Sequence, residues 1–177
     1  KALKIKLDKR SKYLRQLIVK ALVGGGRGHM GSAMSLVEIL RVLYDEFIKF
    51  DPKKPKNENR DRLILSKGHG CLALYSILAD KGFFPKELLN RTSKTGSIFG
   101  GHPEQKVPGV EISTGALGHG LPIAVGLALN FKRKYNSLSP KVFCLIGDQE
   151  ATEGTTWESL LVASSRKLNN LVCIIDY

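Results

Sequence analysis

Apolar residues Leu14, Leu17, Ile18, Ala21 and Leu22 recur at three- and four-residue spacing, which predicts a helix over 9–23, ended by Gly24, Gly25 and Gly26. The stripe Leu36, Val37, Leu40, Leu43, Tyr44 and Phe47 predicts a second helix. Ser35 and Glu38 are placed to form its capping box, each satisfying a backbone donor that the first turn leaves free. After the polar, proline-punctuated stretch FDPKKPKNENRD the pattern changes. RLILS is short, branched and apolar and reads as a strand; GCLALYSILADKG behind it reads as a helix closed by Gly82. PKELLNR suggests a short helix with Pro85 in its first turn, and GSIFGGHPEQKVPG a loop. Residues 120–135 are helical again, Pro122 being accommodated in the first turn. KVFCLIG then reads as a strand, 153–168 as a helix and LVCIID as a strand.

Strands that are apolar throughout and alternate with helices predict an α/β fold: a doubly wound, mostly parallel sheet flanked by helices on both faces. The 177 residues, 42% of them hydrophobic, suit one domain over 1–177 with a real core. Cys71, Cys144 and Cys173 lie in apolar surroundings without metal-ligand spacing, and read as reduced core residues of a cytoplasmic protein. No run is long enough to span a membrane, and the charged opening segment lacks the apolar stretch of a secretory signal.

The formal charge of +12, from 28 Lys and Arg against 16 acids, changes the picture little. Its densest runs, KALKIKLDKRSKYLRQ and DPKKPKNENRDR, carry no interleaved stacking aromatics, so nucleic acid is not the expected partner.

Chemistry concentrates where the predicted strands end. RLILS runs into Lys67-Gly68-His69-Gly70 and KVFCLI into Gly147-Asp148-Gln149-Glu150. In doubly wound sheets ligands bind beyond the carboxyl ends of the strands. All four histidines follow a glycine: His29, His69, His102 and His119. Glycine lets backbone approach a ligand closely, and imidazole binds anionic oxygens or moves protons near neutral pH. Their dispersal disfavours zinc and favours a phosphate or sugar site. Asp148 can be read in two ways, as a ligand for Mg2+ shared with substrate phosphates or as the cap of the following helix.

With these motifs in order, GRGHMGS, DRLILSKGHGCLALYSIL, GGHPE, STGALGHG and GDQEATEGTTWES, the chain resembles the N-terminal, diphosphate-binding region of transketolases over nearly its whole length. LGHG and KLNNLVCIIDY are most similar to the small N-terminal subunits of split transketolases, as is His119 where many full-length members have glutamine. The resemblance implies thiamine diphosphate as cofactor with Mg2+ (or Ca2+), Asp148 as a metal ligand and Gly147 seating the diphosphate. Gln149, where the pattern usually has glycine, and Glu150 belong to the same cofactor-binding turn. His69, Gly115 and Leu117 are implied as cofactor contacts. His29, His69 and His102 would line the substrate channel, and Glu153 would stand at a subunit interface that links active sites, all four counted as catalytic.

The implied reaction transfers a two-carbon ketol unit between sugar phosphates, as in the pentose phosphate pathway. Implied partners are a C-terminal subunit carrying the pyrimidine-binding domain, without which the chain is expected to be inactive, and a second copy of the pair, giving a heterotetramer. A second metal ligand, an asparagine, would fall just past Tyr177, so the domain is expected to be incomplete at its C-terminal end. Alternatives are a related thiamine diphosphate-dependent synthase or decarboxylase, and a nonenzymatic partner-binding subunit of the same fold.

Overall fold

The computed structural model describes residues 6–135 and 140–177; the start of the basic opening run, KALKI, lies outside them. Helix α1, Lys9–Gly25, starts where Asp8 accepts the Ser11 N–H at 2.7 Å and stops at Gly26, whose φ of 73° lets its N–H reach the Leu22 carbonyl. Of the predicted stripe it buries Leu14, Leu17, Ile18 and Ala21, and it half-buries Leu22.

The next segment departs from expectation. Two short helices, α2 at Met30–Ser35 and α3 at Val37–Val42, are followed by a wider turn at Leu43–Phe47. The Ser35–Glu38 capping box does not form. Ser35 Oγ lies 2.6 Å from Asp176 Oδ2 and 3.1 Å from the Ser32 carbonyl, while Glu38 takes two hydrogen bonds from Arg15 of α1, at 2.7 and 2.9 Å. Charge-assisted partners across the fold outcompete a neutral local cap.

Strands β1 (Arg62–Leu65), β2 (Val142–Gly147) and β3 (Leu171–Asp176) form a parallel sheet in that order. Leu63, Leu65, Phe143 and Leu145 pack into a core with α1, α3 and α4 (Cys71–Asp80). On the opposite face Ile64, Val142, Cys144 and Ile146 pack with α5 (Gly120–Tyr135), which α6 (Gly154–Ser165) adjoins. Both faces of β1 and β2 are therefore covered, as their apolar sequences require.

Cys71 and Cys144 are buried in the core as expected, but Cys173 is only half-buried, because β3 pairs with β2 alone in the described residues. Cys144 and Cys173 are register partners, and burial raises the pKa of both thiols. No helix among the described residues is long and apolar enough to cross a membrane.

Candidate cofactor site at the carboxyl edge of the sheet

Because the strands are parallel, their carboxyl ends share one edge, where Ser66, Gly147 and Asp176 lie. Ser66 and Lys67 leave β1 buried, an unusual place for a hydroxyl and an ammonium unless each is paired. The Ser66 hydroxyl donates to Glu150 Oε1 at 2.5 Å and accepts the Gly120 N–H at 3.1 Å. Lys67 Nζ donates to Asp176 Oδ2 at 2.6 Å and lies 3.2 Å from Ser35 Oγ. The Lys67 stem passes under the end of β2: a Cβ on Gly147 would sit 3.3 Å from Lys67 Cδ.

The loop before α5 closes onto this edge. Thr114 Oγ1 donates to the Leu65 carbonyl at 2.7 Å. Gly115 has φ 149° and would carry a Cβ 2.9 Å from the His102 ring, so this position needs glycine on both counts. A Cβ on Gly68 would in turn meet Gly115 backbone at 2.9 Å.

Three of the four histidines converge here. The rings of His29 and His69 meet edge to face, with centroids 5.6 Å apart. His102, whose carbonyl accepts the Tyr75 hydroxyl at 2.6 Å, stands against Gly115. His29 and His102 are exposed and His69 is half-buried. Burial, the ammonium of Lys67 and the two neighbouring imidazoles together lower the His69 pKa, which leaves it neutral near pH 7. His119 stands apart, its Nδ1 2.8 Å from the Leu117 carbonyl.

The acidic turn divides its residues. Asp148 and Gln149 are exposed, and the Asp148 carboxylate makes no hydrogen bond among the described residues. The residue in the N-cap position before α6 is Glu153, so Asp148 is not that helix's cap. Glu150 points the other way and is fully buried. Leu117 is 43% exposed beside the site, and Glu153 is half-buried with its stem against Gly118. No group of three His, Cys, Asp or Glu among the described residues is placed to hold a metal. One free carboxylate beside a glycine-lined edge suits Mg2+ or Ca2+, hard cations that accept oxygen ligands, and Mg2+ in particular keeps several ligands from water and phosphate.

Sequence reasoning did not assign Ser66, Lys67, Ser35 or Asp176. For Ser66, Lys67 and Asp176 the signal was slight: polar residues set directly at the ends of apolar strands, at positions that only the folded chain shows to be buried. Ser35, exposed at the end of α2, carried only the signal of a helix cap.

A parallel sheet whose carboxyl edge is lined by close-packed glycine, three converging imidazoles and a free carboxylate defines an α/β domain of the ligand-binding, doubly wound class. Residues 7–177 match the family described as transketolase, thiamine diphosphate binding domain. The chain is 40% identical over 174 residues to an apulose-4-phosphate transketolase subunit of Phocaeicola vulgatus, covering 98% of this chain and 60% of that protein. It is 38% identical over 174 residues to a 6-deoxy-6-sulfo-D-fructose transketolase subunit of a Clostridium species, covering 98% and 62%. Among solved structures, Campylobacter jejuni transketolase superposes with a TM-score of 0.88 at 36% identity, over 94% of this chain and 27% of that one. The chain belongs to the transketolase family, as its N-terminal thiamine diphosphate-binding domain. It spans 60% and 62% of the length of the two subunits compared.

Proposed function

We propose that this chain is the diphosphate-binding part of a split transketolase that moves a two-carbon ketol unit from a ketose phosphate to an aldose phosphate. The observation that carries this reading is the convergence of His29, His69 and His102 on the glycine-lined edge that also presents Asp148. Thiamine diphosphate, when bound, supplies the nucleophilic carbon and the electron sink for breaking and forming carbon–carbon bonds.

The chain's own residues supply the rest. Asp148 would hold Mg2+ or Ca2+ on its free carboxylate, and Gly147 and Gln149 would lie along the diphosphate. Gly115 and Leu117 would lie against the cofactor rings. His69, neutral near pH 7, takes the proton of the donor hydroxyl and returns one to the acceptor oxygen. His29 and His102, exposed beside it, bind sugar hydroxyls and orient them. The net charge of +12 draws anionic sugar phosphates to the surface.

A partner polypeptide supplies the pyrimidine-binding domain. This is supported by the Phocaeicola and Clostridium relatives, both of which are named as subunits of a transketolase. Self-association of that pair into a heterotetramer is supported by the exposed Trp157, Leu161 and Val162 on α6, the helix that follows Glu153. Three free thiols fit a cytoplasmic setting.

Calorimetry with thiamine diphosphate and Mg2+, with and without the partner subunit, followed by a ketol-transfer assay, tests the reading. Cofactor binding with ketol transfer only in the partner's presence is expected. Transfer by the chain alone would refute the split arrangement, and decarboxylation of pyruvate without ketol transfer would point to a related synthase or decarboxylase. No cofactor binding in either state would leave a nonenzymatic subunit.

A further inference from the structure

The acidic turn holds a carboxylate that never reaches the open edge. Glu150 is 0% exposed, and its two oxygens take three hydrogen bonds from neutral donors. Oε1 accepts from Ser66 Oγ at 2.5 Å and from Gly118 N at 3.1 Å, and Oε2 accepts from Gly147 N at 3.0 Å. These donors belong to three separate stretches: the end of β1, the loop entering α5 and the end of β2. Because Ser66 Oγ also accepts the Gly120 N–H, the loop is fastened twice. A buried carboxylate must have its charge met by several donors, and here the donors are the segments that carry Gly115, Leu117, Gly147 and Asp148.

We propose that Glu150 is a positioning residue: it fixes the spacing between the Gly115–Leu117 loop and the Gly147–Asp148 turn, so that thiamine diphosphate meets a preformed cleft. Being enclosed, it acts through those segments and not by contact with the cofactor. The proposal rests on the cofactor reading above. Glu150→Gln keeps the volume but replaces one oxygen by an amide NH2, which faces a donor and leaves it without an acceptor. Ser66→Ala removes one of the three donors and the second fastening of the loop.

The test uses the full-length protein assembled with its partner subunit, titrated with thiamine diphosphate at saturating Mg2+ by calorimetry, with circular dichroism to establish folding. Glu150→Gln should weaken cofactor binding about tenfold or more, and Ser66→Ala about threefold. In the Glu150→Gln background Ser66→Ala should add less than about a further twofold, because both act through one hub. The KM for the ketose at saturating cofactor should stay at the wild-type value.

Folded Glu150→Gln that binds the cofactor like wild type overturns the proposal and leaves the cofactor reading intact. If Glu150→Gln does not fold, Ser66→Ala decides in the same way, wild-type affinity again overturning the proposal. Absence of cofactor binding by the unsubstituted assembly overturns the cofactor reading and this proposal with it.

Discussion

β2 is buried along its whole length between two neighbours, whereas β3, paired with β2 alone in the described residues, leaves Val172 and Ile175 37% and 48% exposed. The difference continues at the carboxyl edge. Between β1 and β2, the Glu150 carboxylate and close-packed glycines lock each loop to the next. The outer face of α6 instead shows Trp157 and Leu161 to solvent. Rigid, over-determined packing is what holding a reacting group in one geometry demands. Apolar surface left open is what association with another polypeptide demands.

The largest effect should fall inside the locked region without disturbing it. His69→Ala should lower ketol transfer about 10²- to 10⁴-fold while cofactor affinity stays within about threefold, as steady-state kinetics beside calorimetry would show. A loss of cofactor binding as large as the loss of rate would place His69 in the scaffold instead.

Asp148→Ala should do the reverse, weakening thiamine diphosphate binding in Mg2+ by at least about tenfold. Since its carboxylate has no hydrogen bond among the described residues, unfolding free energy should change by less than about 0.5 kcal/mol. Unchanged affinity would remove Asp148 from the metal site.

Stability itself should separate the two regions. At Gly118, φ is 72° and an added Cβ would lie 2.5 Å from Thr155 Oγ1 and 2.8 Å from Glu153 Cβ. Gly118→Ala should therefore cost about 1–3 kcal/mol in denaturant unfolding. Val172→Thr on the open strand should cost less than about 0.5 kcal/mol. Equal costs would dissolve the contrast.

The smallest expected effect is one of pH. Burial first, and then Lys67, hold the His69 pKa below its ordinary 6.5. Below pH 6.5 the unfolded chain therefore binds more protons here than the folded one, and stability rises with pH. The contribution is complete above that value and is lost as pH falls through the lowered folded pKa. His69→Ala should flatten this part of the stability profile, and an unaltered slope would show that another group sets it.

Helices with clean apolar spacing, such as α1 and α5, were legible in the sequence because their periodicity is the cause of their burial. α2 was not, since GSAMS has no apolar stripe, and the Ser35 hydroxyl was claimed by a carboxylate 141 residues away. In the site, the glycine–histidine pairs advertised themselves, while Gly115 and Leu117 came only through family resemblance. Lys67 and the inward turn of Glu150 were opaque for a physical reason: whether an acid or an ammonium faces inward depends on partners that no local pattern contains.

Those partners are far apart along the chain, Ser66 and Glu150 by 84 residues and Lys67 and Asp176 by 109. Closing loops of that length is slow compared with forming a helix from neighbouring residues. The cleft should accordingly be a late arrival in folding, with the Gly118 and Gly147 amides gaining protection in pulsed hydrogen exchange after those in the middle of α1; simultaneous protection would contradict this order. A chain caught part-way would then hold helices but no place for a diphosphate, so the ability to take up cofactor marks completion of the fold.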